Sequence, residues 1–380
     1  MHQELLKQYA RVIVEVGINL QPGDNVIVRS DTESLELLRE VVRSCWAMGA
    51  HDVITRISDK AISLAYYEEA RNEVFDDFPD FEVDYSEALY KNKYHRISLR
   101  TPSLDYFSEV DPERMHRRNQ AANKKLEPLS VYMDKGDIKW VVAASASDAW
   151  SKKVFPDLEP AEALENLWQL IFQACRIDQE DPVQAWKDHD KKLKTMENWM
   201  DSQDFEYLHY EGPGTDLKVY LAEKNKWVGG SSTTPDGITY MANIPTEEVF
   251  GTPARNRVDG VLRATKPLSV GGKMLEGMEF EFKDGQVVSF KADTNQDVLE
   301  NQMQMDEGAN RLGEVALVAH SSPISKMNVV FGSTLFDENA ACHLAIGQAY
   351  PLIEGADRMT EEELAARGAN ASNEHVDFMI

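Results

Sequence analysis

Apolar and polar positions follow two different periods in the first half of the chain. Four segments, DNVIVRS (24–30), HDVITRIS (51–58), KYHRISLR (93–100) and IKWVVAAS (138–145), are β-branched and either alternate or run continuously apolar. That is the signature of strands. Between them, SLELLREVVRSCWAMGA (34–50) and DPERMHRRNQAANKKLEPL (111–129) carry a helical period. Strand and helix in turn predict a largely parallel sheet with crossover helices. Residues from about 160 to 200 are again helical and rich in Trp, Lys and Asp, with Pro182 opening a helix, and read as a bridging segment.

Past residue 195 or so the pattern shortens. FEYLHYEG, TDLKVYLA, GVLRATKPLSV, MEFEFKDGQVVSFKA and ALVAHS are short strands separated by turn residues, and Asp284-Gly285 stands between two alternating runs as a hairpin signal. Helices are expected near 295–312 and 339–349. A chain of 380 residues exceeds one ordinary core. The expectation is therefore an α/β protein of two domains. Residues 1–190 form an N-terminal domain with the largely parallel sheet, and 191–380 form a C-terminal β-rich α+β catalytic domain.

Composition narrows the function. An apolar fraction of 42% with 28% charged residues suits a soluble globular chain, and no apolar run is long enough to cross a membrane. The N-terminus MHQELLKQYARVIVEVG reads as an amphipathic helix without a cleavable signal, so a cytoplasmic protein without a membrane partner is expected. Cys45, Cys175 and Cys342 form no C-x-x-C pair and imply no disulfide framework. A formal charge of −25 argues against nucleic acid. The acidity either keeps the chain soluble or gathers cations. Neither G-x-G-x-x-G nor G-x-x-x-x-G-K-[ST] occurs, so no nucleotide cofactor is expected in the first half.

The unusual polar residues lie in the second half. NIPTEEVFGTP (243–253) sets Glu247 and Glu248 between two prolines with apolar flanks, and Glu314 stands directly before the apolar run Val315 to Val318. LFDENAACHLAIGQAYP (335–351) opens with an Asp-Glu-Asn run suited to a helix start, and on that reading His343 and Tyr350 share a helix face. In HVDFMI, a strand puts His375 and Asp377 side by side. Read singly, each has an ordinary explanation. Glu248 is a solvated loop acid, Glu314 a strand-edge acid, Glu338 a helix-start charge, His343 a satisfied core histidine, Tyr350 a core aromatic, and His375 with Asp377 a solvated strand face. Read together, acids and histidines beside apolar runs ask for a shared partner, since an uncompensated buried charge costs several kcal/mol. A divalent metal supplies one. So many candidates suit two ions sharing a carboxylate, and the histidines favour Zn, Co or Mn over calcium.

At these residues the chain closely resembles the M29 family of metallo-aminopeptidases, the aminopeptidase S and aminopeptidase T group. NIPTEEVFGTP, RVDGV, DENAACHLAIG and HVDFMI are that family's recurrent segments in the family's order. The resemblance implies Glu248, Glu314, His343, His375 and Asp377 as metal ligands, Glu338 as a further acid of the site, and Tyr350 as a catalytic tyrosine. One glutamate bridges the two ions, Glu314 in preference to Glu248. Gly251 stands where family members more often carry threonine, which implies a looser loop without loss of a ligand. Family chains usually continue past HVDFMI.

The function so implied is removal of N-terminal residues from peptides by a two-metal-activated water. Glu314 or Glu248 passes a proton to the leaving amine, Tyr350 donates to the oxyanion, and homodimers have their sites facing an enclosed interior. Two rivals stand beside it: another dinuclear hydrolase, acting on amides or phosphoesters, and a non-enzymatic acidic metal-binding scaffold.

Overall fold

The computed structural model describes residues 2–102, 106–270 and 273–380. They divide into two compact units, Met1–Lys187 with Ser231–Pro245, and Asp188–Gly230 with Thr246–Ile380. Each unit is thus discontinuous in sequence. A short strand at Asn243–Ile244 explains the exchange, because it pairs in parallel with a strand of the first unit.

In the first unit, helix α1 (His2–Val12) buries Leu6, Tyr9, Ala10 and Val12 along one stripe. Strand β1 (Asn25–Asp31) leads through α2 (Leu35–Ala47) to β2 (Asp52–Ser58), then through α3 (Lys60–Glu69) and α4 (Asp80–Lys91) to β3 (Tyr94–Arg100), and through α5 (Pro112–Leu126) to β4 (Trp140–Ala144). The strands pair in parallel, in the order Asn243–Ile244, β4, β3, β1, β2. The chain therefore adds β2 on one side of β1 and β3 on the other. Register places Arg29 beside Arg56 and Ser98, with Arg96 opposite Ile27. Successive side chains alternate in a strand, so Arg29, Arg56, Arg96, Ser98 and Arg100 share one face of the sheet.

The second unit is built from antiparallel strands after the long helix Pro182–Gln203. One five-stranded sheet runs, in spatial order, His375–Met379, His343–Gly347, Leu312–Val318, Glu248–Gly251 and Val228–Gly229. Another runs Gln286–Lys291, Glu279–Lys283, Pro253–Arg263, Thr215–Leu221 and Tyr207–Gly212. Both contribute to one apolar core, in which Phe280 meets Phe378 edge to face at 4.8 Å. Asp284 and Gly285 have φ of 51° and 80° and close the expected hairpin, with both turn residues left-handed.

Two expected helices are corrected. The helix near 295–312 ends at Met303. The Asp306 carboxylate beyond it accepts from Gly308 N and Asn373 N, competing with any helical continuation. The helix near 339–349 does not form: a short helix Thr334–Asp337 closes in a single 3-10 turn at Glu338–Ala340, and His343–Gly347 is a strand. Asp337-Glu338-Asn339 thus ends a helical segment where the sequence suggested a start. HLAIG is a continuous apolar run because the strand is buried throughout, and such a run does not separate helix from strand by period.

Candidate metal centre

Four adjacent strands carry the candidate ligands. Cross-strand register sets Glu314 opposite Ala345 and Ala345 opposite Asp377, while His343 lies opposite Ala316, and His375 opposite Gly347. Glu248 stands opposite Val318 on the next strand. Directly opposed residues project to the same side, so all five candidate ligands share one face. The alternate positions Val249, Val315, Leu344, Ile346, Val376 and Phe378 point into the apolar core. Ala316, Ala345 and Gly347 supply a floor of small residues between the polar groups. Gly347 is required by its backbone: φ is 107°, and a Cβ would stand 2.1 Å from the Glu374 carbonyl oxygen.

The polar atoms converge in two groups that share one residue. Glu248, Glu314 and His343 offer ligand atoms all within 4.8 Å of one another, and Glu314, His375 and Asp377 do the same. His343 Nε2 lies 3.1 Å from Glu248 Oε2 and 3.5 Å from Glu314 Oε1. His375 Nε2 lies 3.4 Å from Asp377 Oδ1 and 3.8 Å from Glu314 Oε2. Two ligand atoms held tetrahedrally by one zinc-sized ion stand roughly 3.3 Å apart.

Three observations show that a divalent ion fits. Glu248 Oε2 and His343 Nε2 are buried and, despite their 3.1 Å separation, make no hydrogen bond, so the atoms are aimed past each other. Each imidazole has its other nitrogen engaged by a carbonyl, His343 Nδ1 with Ala341 O at 3.3 Å and His375 Nδ1 with Gln348 O at 2.8 Å. A donating Nδ1–H leaves the Nε2 lone pair for a metal. The mixed imidazole and carboxylate donor set is, finally, one that divalent transition metals take.

Electrostatics tell the same story. Burial raises the Glu314 carboxyl, with Glu248 and Asp377 adding repulsion and His343 opposing. Burial would lower His343, yet Glu248 and Glu314 outweigh it and the imidazole is raised well above its ordinary value. His375 is likewise depressed by burial but carried up to about 9 by Asp377 and Glu314. Asp377 is pushed up by burial and brought below its ordinary value by His375 and His343. The buried carboxylates raise both imidazoles, and a bound cation would supply the same compensating charge.

Glu338 belongs to neither triad. Burial and the nearby Glu248 and Asp377 charges raise its carboxyl well above the ordinary range. Tyr350 is reached by a different route from the one the helical spacing implied. Beyond the Gly347 turn, its ring packs 5.4 Å from the His375 ring and 6.4 Å from that of Phe250. The residue is 56% exposed, at the open margin of the cluster. Burial and the Glu314 and Asp377 charges raise its phenol, keeping it protonated as a donor.

Gly251 lies inside a strand, not in a loosened loop. A Cβ there would stand 2.9 Å from Asn225 Nδ2, and the glycine lets the Asn225 carboxamide accept from Thr252 N at 2.7 Å. Sequence reasoning passed over Asn339. It is fully buried, accepts from Glu247 N at 2.6 Å and donates to Leu335 O at 3.0 Å, tying the Glu248 segment to the Glu338 turn. A buried asparagine inside DENAACH was visible, but the helix-start reading gave it an ordinary role. The small floor residues were also passed over, since their value depends on which strands are neighbours.

A buried, convergent set of imidazoles and carboxylates on rigid strands is the donor set of a metalloenzyme. The chain belongs to the M29 peptidase family: the family model described as thermophilic metalloprotease (M29) matches residues 2–380. Aminopeptidase AmpS of Bacillus subtilis is 41% identical over 99% of this chain and 92% of its own length, and aminopeptidase 2 of Geobacillus stearothermophilus is 39% identical with 99% and 91% covered. Among solved structures, wild-type AmpT from Thermus thermophilus superposes with a TM-score of 0.93 at 34% identity, over 100% of this chain and 93% of that one. The protein is therefore an α/β enzyme that hydrolyses peptide bonds with a metal, and the scaffold alternative falls away. No helix among the described residues is long and apolar enough to cross a membrane.

Proposed function

We propose that this enzyme is an aminopeptidase using two divalent ions, one in the Glu248, Glu314, His343 group and one in the Glu314, His375, Asp377 group. The observation that carries the reading is the sharing of Glu314 by both groups. Zn, Co or Mn fits the donors, and the chemistry such ions supply is polarisation of a carbonyl and a lowered pKa for water.

The chain's own residues do the rest. Glu314 bridges the two groups through its two oxygens, one toward His343 and one toward His375. Gln348 and Ala341 carbonyls fix the imidazole orientations. Tyr350, protonated and at the open margin, donates to the oxyanion as it develops, a contact that matters chiefly in the transition state. A site carboxylate moves the proton from water to the leaving amine. Glu338 is the favoured carrier, lying outside both groups with a raised carboxyl, whereas Glu314 turns both oxygens to the groups it bridges. The acid-rich cluster also receives the positively charged α-amine of a peptide, which confines cleavage to the terminus. Hydrolysis of other bonds by the same ion pair is the weaker reading, because the family is one of peptidases.

Metal-loaded protein assayed against short peptides and N-acetylated counterparts tests this. Release of free amino acids from the unblocked peptides alone is the expected result; equal cleavage of blocked peptides refutes the terminal specificity. Sedimentation of the loaded enzyme tests the homodimer that accompanies this reading.

A further inference from the structure

The first unit contains a cavity of about 490 Å³ at the carboxyl ends of β1, β2 and β3, a volume within the range of small-molecule sites. In open sheets with crossover helices, ligands bind in the crevice where the strand order reverses. Here the reversal falls at β1, which has β2 on one side and β3 on the other.

The lining is unusual for a chain of charge −25. Arg29, Arg56, Lys60, Arg100 and Arg118 face the cavity, against the two carboxylates Asp31 and Glu82. Both carboxylates are already engaged. Asp31 accepts from Glu33 N at 3.0 Å and Ser34 N at 3.1 Å, and also from Thr101 Oγ1. Glu82 is bound by Arg56 at 2.8 Å. Lys60 is paired with Glu33, and Arg118 donates to Asp77 O while lying 4.8 Å over the Phe78 ring. No salt bridge among the described residues reaches Arg29 or Arg100. Arg29 Nε is buried without a hydrogen-bond partner among the described residues. Burial and the neighbouring Arg96, Arg56 and Arg100 charges lower the Arg29 guanidinium below its ordinary value. Arg29 is half-buried, and a cation held partly out of water among like charges, with its Nε unpaired, is stabilised by a counter-ion.

We propose that this cavity is a binding site for a small oxyanion, a phosphate monoester or a carboxylate, held by Arg29 and Arg100. Guanidinium groups bind both classes bidentately. The hydroxyl of Ser98, which also lines the cavity, supplies a neutral donor beside them, while that of Ser58 donates to Ser30 O at 3.2 Å. The backbone amides after β1 do not take part as a phosphate loop, since Asp31 already holds those of Glu33 and Ser34. Recognition rests on side chains.

Calorimetric titration of the metal-loaded full chain with phenyl phosphate and, separately, with glutarate tests the proposal. At least one is expected to bind saturably, and which one identifies the ligand class. Arg29→Gln and Arg100→Gln are each expected to weaken that binding tenfold or more while peptide hydrolysis stays unchanged. Without anion, Arg29→Gln is expected to melt no lower than the parent and to lose the anion-induced rise in melting temperature. Saturation by neither probe, or binding equally tight in both variants, overturns the proposal; the second result places the anion at the metal centre. A fall in the anion-free melting temperature of Arg29→Gln also overturns it, because Arg29 would then be a structural strut.

Discussion

The two units each gather charged side chains on one face of a five-stranded sheet, with different geometry. In the second unit the carboxylates are interleaved with imidazoles at 3.1 to 3.8 Å across four adjacent antiparallel strands, over a floor of alanine and glycine. In the first unit the arginines stand near the strand ends and surround a cavity of about 490 Å³. Antiparallel neighbours fix donor atoms at spacings set by the ladder, which suits a small cation with strict coordination. Parallel strand ends open into a crevice, which suits a larger ligand whose position side chains can adjust. The donors of each cluster match the partner proposed for it, a cation in the second unit and an anion in the first.

The comparison can be broken most strongly at Glu314. Replacing it with glutamine removes the group both triads share, and turnover is expected to fall by more than about 100-fold, the upper end for loss of a merely supporting partner. Steady-state assay with saturating metal checks this. Tyr350→Phe touches neither triad. It is expected to lower kcat by roughly 10²–10³-fold, as for loss of one oxyanion donor, with KM little changed. Ala345→Leu probes the floor. Filling that space is expected to reduce metal affinity at least tenfold while far-UV circular dichroism stays that of the parent, at a stability cost of about 1–3 kcal/mol.

Asn339→Ala leaves the Glu247 amide without its acceptor and is expected to cost about 1–3 kcal/mol in chemical denaturation. The pH effect is gentler. His375 is held at about 9 in the folded protein, above its ordinary value. In metal-free protein its contribution to stability is therefore complete below about pH 6.5 and disappears as pH rises through about 9. Metal uptake competes with the same proton, so affinity measured by calorimetry is expected to climb across that interval with protons released.

Much of the first unit was legible because its four strands and intervening helices carry clean periods, and the observed strands fall within a residue or two of the quoted segments. The exchange of Ser231–Pro245 was not, since a two-residue strand has no period to read. At the candidate site, the family's segments supplied the candidate ligands, while their arrangement needed the fold. HLAIG is apolar on both sides because one faces the core and the other the closed floor of the cluster, so His343 and Tyr350 mimicked a helical spacing that does not exist. Strands β1, β2 and β3 together carry four arginines, Arg29, Arg56, Arg96 and Arg100, which stand in plain view along the chain. That Arg29 lacks an opposing carboxylate depends on side-chain placement, which no periodicity reports.

The proposed two-ion centre depends on Glu314 serving both ions. Metal content per chain, measured by plasma mass spectrometry on parent and Glu314→Gln protein after equilibration with zinc, tests it most directly. Two ions per chain are expected in the parent, and loss of both in the variant. A parent that holds one ion, or a variant that keeps two, would contradict it.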